Sequence, residues 1–89
     1  MFTKREKQLF VGGYFTIIRI EENYIEVISN NTRHQWIIFK GSIDSNKPVT
    51  LYHKHTADTK YYHKHWETWT VAMAVENIKN HDTYVIENG

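Results

Sequence analysis

The chain has 89 residues, is 40% apolar and 24% charged, and carries a formal net charge of +1. That length supports a single domain, because neither half could bury a core of its own, and the composition is globular rather than disordered. A balance so close to neutral keeps the chain out of the strongly basic class of nucleic-acid binders, and no apolar run approaches the length of a membrane-spanning helix.

Residues 1–8 are polar and charged with no apolar period. They are read as a flexible N-terminal arm, with a helical turn as the alternative, ahead of one α+β domain over residues 9–89. The N-terminal charges are followed by Gly12 and Gly13 rather than by an apolar stretch, and the chain has no cysteine. Both features lead to the expectation of a cytoplasmic protein.

Residues 14–20 are β-branched and aromatic, the composition of a strand. After a polar break at Glu21-Glu22-Asn23, residues 24–29 read as a second strand with Ile25 and Val27 on one face. Asn30-Asn31 suits a two-residue hairpin turn, since asparagine tolerates positive φ. Residues 34–40 follow as a third strand, with Trp36 and Ile38 as core candidates and His34 expected on the solvent side. Residues 41–48 hold Gly, Ser, Asp, Asn and the only proline, and read as a loop.

Strands over residues 49–55 and 61–66 carry the most distinctive feature of the chain. Tyr52-His53-Lys54-His55 is repeated as Tyr62-His63-Lys64-His65. Threonine resists the positive φ of a tight two-residue turn, which favours an odd loop centred on Thr59; a four-residue loop built on a type I turn is the alternative. The symmetric register sets His53 opposite His65 and His55 opposite His63. Alternation then gathers these four histidines on one face, continuing Val49 and Leu51 at the margin of the core. Tyr52, Lys54, Tyr62, Lys64 and Trp66 take the reverse, solvent-facing side.

After Trp66 the period changes. Val71, Ala74, Val75 and Ile78 fall at i, i+3, i+4 and i+7, which predicts a helix over about residues 69–81, capped by Thr68 or Thr70. His81 near its C-terminus is accounted for by the helix dipole. Asp82-Thr83 is expected to end the helix before a short terminal strand at Tyr84-Val85-Ile86. The predicted fold is an antiparallel β-meander of about five strands packed on one C-terminal helix, with Ile17, Val27, Trp36, Ile38 and Leu51 contributed by the sheet.

The functional reading centres on the hairpin. Interleaved aromatic rings and lysines are the materials of a single-strand nucleic-acid surface, so Tyr52, Lys54, Lys60, Tyr62, Lys64 and Trp66 are candidate contacts. A protein-binding adaptor or inhibitor, acting through an aromatic patch or a sheet edge, is the alternative. A metal site on His53, His55, His63 and His65 comes third. No cysteine lies in the chain and no carboxylate inside either motif, so no stoichiometric structural zinc is expected. No serine elbow, Gly-rich phosphate loop or carboxylate pair is present; a non-enzymatic module with no cofactor and no membrane partner is expected.

Overall fold

The computed structural model describes residues 1–41 and 47–89. Five strands, β1 (Phe15–Ile20), β2 (Tyr24–Ser29), β3 (Gln35–Lys40), β4 (Val49–Lys54) and β5 (His63–Thr68), form one antiparallel sheet in chain order. A short helix, α1 (Lys4–Gln8), precedes the sheet, and α2 (Val71–Asn88) follows it and packs on β3, β4 and β5. This is the α+β meander on a helix that the sequence predicts. No helix among the described residues is long and apolar enough to cross a membrane.

The strand period sorts the side chains. Ile25 and Val27 from β2, Trp36 and Ile38 from β3, and Val49 and Leu51 from β4 meet Val71, Ala74, Val75 and Ile78 of α2 in one buried cluster. Full burial of a side chain such as Ile78 contributes about 1.5–3 kcal/mol. Trp36, fully enclosed, keeps its indole N–H bonded by donating to Ser29 Oγ at 3.1 Å. Ile17 sits at the edge of this cluster rather than inside it.

Within residues 1–8, Lys4–Gln8 form α1, started by a capping box in which Thr3 and Glu6 bond each other's backbone N–H. Lys40 Nζ lies 2.9 Å from Glu6 Oε1, and Phe2 and Phe10 on either side of the helix enter the core.

Three local expectations change. The connection from β2 to β3 is not a two-residue Asn30-Asn31 turn: Ser29 N donates to His34 O at 2.9 Å, and Arg33 takes the left-handed conformation with φ 66°. The loop expected over 41–48 lies, for residues 42–46, outside the described residues; at its ends Gly41 N donates to Pro48 O at 2.8 Å. The terminal strand at Tyr84-Val85-Ile86 is replaced by helix, because α2 runs through Asp82 and Thr83 to Asn88. Asp82 extends the buried face of the helix, with both carboxylate oxygens bonded. Tyr14 Oη donates to Oδ2 at 2.7 Å and Thr32 Oγ1 to Oδ1 at 2.9 Å.

The register of the β4–β5 hairpin is also corrected. His53 lies opposite His63, not His65, and Tyr52 opposite Lys64, while Leu51 lies opposite Trp66. His65 therefore has no partner on β4; it is the extra residue of a β-bulge. His55 falls beyond the end of β4, in a connection closed by Thr59 N donating to Thr56 O at 3.1 Å. That four-residue turn avoids the positive φ that threonine resists.

Candidate functional site

The bulge does not scatter the histidines; it draws them together. Inward-facing Leu51 and His53 alternate along β4, and His63 stands beside His53 across the ladder. The additional residue in β5 leaves His65 half-buried, its ring 5.4 Å from those of Trp36 and His53. His34, two residues before Trp36, takes the same face as Trp36 and Ile38 and is 9% exposed. It is not on the solvent side. His81 follows Ile78 by three positions on α2 and meets the strands from above, 4.8 Å from the His53 ring.

All six histidines of the chain thus share one cluster, with His53 at its centre. His53 is 2% exposed and stacks on Trp36 with ring centroids 4.0 Å apart. His34 Nδ1 and His53 Nε2 are 3.0 Å apart, one nitrogen donating and the other accepting according to tautomer. His55 and His63 are exposed and form the outer part of the cluster.

Burial shapes the charge state. It is the largest cause of the depression of His53 to about 3, and repulsion from His81, His34, His55 and His65 adds to it. His34, His65 and His81 are also pushed below the ordinary value, by burial first and by neighbouring imidazoles after it, with Asp82 opposing at His34 and His81. At neutral pH these rings are uncharged, each with one lone-pair nitrogen, and within the His34–His53 pair one of these accepts the other ring's N–H.

Among the described residues, His34, His53 and His81 each offer a ligand atom, and these atoms all lie within 4.8 Å of one another. Nitrogens bound to a tetrahedral Zn²⁺ at about 2.0–2.1 Å stand about 3.3 Å apart. Rotation of side chains by about an ångström would close the three onto one ion at that bond length. Among the described residues, His81 Nδ1 is buried without a hydrogen-bond partner, and a buried nitrogen so placed calls for a partner such as an ion or a water. Asp82 is adjacent, but Tyr14 and Thr32 occupy its oxygens, so the donor set is imidazole.

The residues of the Tyr/Lys/Trp face part company. Tyr52 and Tyr62 line a groove of about 430 Å³ on the sheet face opposite α2, with Tyr24, Glu26, Ile37 and Phe39. Tyr62 Oη donates to Glu26 Oε2 at 2.7 Å, with Gln35 Oε1 3.2 Å away as a second acceptor for the same proton; burial first and the Glu26 carboxylate second push the phenol's pKa upward. Lys54 Nζ sits 4.8 Å above the Tyr62 ring. Lys64 pairs with Glu67 at 3.4 Å, and Lys60 extends over Tyr61 in the connection. Trp66, 40% exposed, does not join them: the bulge turns it to the helix side, against Met73, Glu76, Asn77 and Asn80.

His34 and His81 are the residues that hairpin reasoning leaves out, though signals for both exist. Alternation counted back from Trp36 reaches His34, and the helical face of Val71, Ala74, Val75 and Ile78 extends to residues 81–82. No protein-family model, no curated protein and no solved structure matches this chain.

Proposed function

We propose that this chain is a binding module for a divalent transition-metal ion, held by His34, His53 and His81. The observation that carries the reading is the convergence of all six histidines, from strands, hairpin connection and helix, around the buried His53. An all-imidazole donor set suits Zn²⁺, Ni²⁺ or Cu²⁺ and disfavours Mg²⁺ and Ca²⁺, which take oxygen. The expectation against a structural zinc weighed the hairpin histidines, with no cysteine in the chain and no carboxylate in either motif; the imidazoles of His34, just before β3, and of His81 on α2 stand beside His53. Equilibrium dialysis is expected to leave one Zn²⁺ per chain, with Co²⁺ giving visible d–d absorption in its place. Free metal at 100 times Kd should stabilise the fold by about 2.7 kcal/mol. His81→Ala should remove both effects. A wild-type chain that retains no metal would sink the reading.

A second reading, single-stranded nucleic acid on the outer sheet face, is favoured by the aromatic groove between Tyr52, Tyr62, Tyr24 and Phe39. It ranks below the first because Glu26 lies in that groove, Trp66 is on the other side of the sheet, and Lys64 is paired with Glu67. Binding of labelled DNA or RNA through Lys54 and Lys64 must weaken steeply with salt. A protein partner on the same aromatic face would be far less salt-sensitive.

A further inference from the structure

The cluster is graded from inside to outside. His34 and His53 are buried and His81 is half-buried, whereas His55 and His63 are exposed. The gradient is continuous in space. The His55 ring lies 4.9 Å from that of His34 and 4.8 Å from that of His53. His63 lies 5.7 Å from His53 and 6.5 Å from His55, the latter pair with ring planes only 27° apart.

We infer that His55 and His63 form a solvent-facing loading site that captures the metal ion and passes it through His53 to the inner three histidines. The inference rests on the metal-binding reading above and assigns the outer histidines a part in it.

The physical reason is desolvation. A hydrated divalent ion cannot shed its waters into a low-dielectric interior without replacement ligands, because a bare charge there is very unfavourable. Exchange of one water for one imidazole at a time removes that obstacle. His55 suits the first exchange. It sits in the hairpin connection, outside the hydrogen-bonded ladder of β4, so its side chain can reach outward for the ion and inward toward His34 and His53 without breaking strand pairing. His63 is on the ladder opposite His53 and offers a second nitrogen donor at the surface. The inner three must exchange the His34–His53 hydrogen bond for metal bonds, and an ion already held by outer imidazoles can arrive as that bond opens.

Kinetics separate a relay from a permanent ligand. A group that only speeds passage accelerates loading and release equally, so its removal slows both and leaves the equilibrium unchanged. Stopped-flow absorbance with Co²⁺, and release of Zn²⁺ to a chromophoric chelator, should be measured for the wild type and for His55→Ala, His63→Ala and the double variant. Circular dichroism would confirm that these exposed substitutions leave the fold intact. The expected result is loading and release both slowed at least tenfold in the double variant, with one ion still bound and Kd changed less than threefold. Unchanged rates in both directions would overturn the loading role. So would faster release with unchanged loading, which would make His55 or His63 an ordinary fourth ligand. A wild-type protein that takes up no ion would overturn the metal reading itself, an outcome distinct from either. His81→Ala serves as the opposite control, losing affinity rather than speed.

Discussion

Asp82 illustrates how one polar side chain can be held inside a small core. Its carboxylate has no exposed surface, and two hydroxyls, of Tyr14 just before β1 and of Thr32 in the β2–β3 connection, donate to its two oxygens. The effect is reciprocal: burial first, and the bond to Asp82 second, push the Tyr14 phenol up to about 12. Tyr14→Phe keeps the ring and its edge contact with Phe15 but strips Oδ2 of its donor. The expected loss is about 1–3 kcal/mol in urea unfolding, the usual consequence of leaving a buried charged acceptor short of a bond. A change under a few tenths of a kcal/mol would mean that water replaces the hydroxyl there. The same bonds bear on the histidines, because they keep a carboxylate next to His81 from acting as its metal partner.

At the scale of elements, the unexpected feature is the last two turns of α2. Asp and Thr are weak helix formers, and Tyr-Val-Ile is strand composition, so the sequence argues for a stop after His81. The helix continues because Asp82 lies four residues after Ile78 and is bonded by the Tyr14 and Thr32 hydroxyls, while the Thr83 hydroxyl bonds back to Lys79 O at 2.9 Å. Thr83→Pro separates the two pictures. In a helix interior it should cost about 3 kcal/mol; in an extended tail it should be nearly neutral. The strands and the helical face Val71, Ala74, Val75 and Ile78 were readable because apolar period and turn residues are local signals. The β5 bulge was not, since nothing near His65 marks an unpaired residue; it follows from how Trp66 meets Leu51 and how the Thr56–Thr59 turn closes. The hairpin histidines were therefore recognisable as a group from their spacing, whereas their meeting with His34 and His81 required the sheet and the helix to be placed on each other.

For the whole molecule, the histidine cluster makes stability depend on acid. Take the metal-free protein. An unfolded histidine titrates near 6.5, while the folded His53, kept uncharged chiefly by burial, does not bind a proton until about pH 3. Between those values the unfolded chain holds more protons than the folded one, so stability falls as pH falls. It is fully present above about pH 6.5 and decreases by about 1.4 kcal/mol per pH unit below it, or about 2 kcal/mol between pH 6.5 and 5 from His53 alone. His34, His65 and His81 act in the same direction, since burial lowers each of them as well. A domain of this size has roughly 5–10 kcal/mol in total, so urea midpoints measured at pH 7.5, 6 and 5 should drop with increasing steepness, and the fold should open before pH 3. A bound ion moves the same curve. It stabilises only the folded state, and protons must displace it from the imidazoles. Saturating Zn²⁺ should therefore raise the midpoint at pH 7.5, and its benefit should disappear on acidification. Flat midpoints from pH 7.5 to 5 without metal would show that the six rings are hydrated in the folded protein, and the buried centre on which the metal reading depends would not exist in solution.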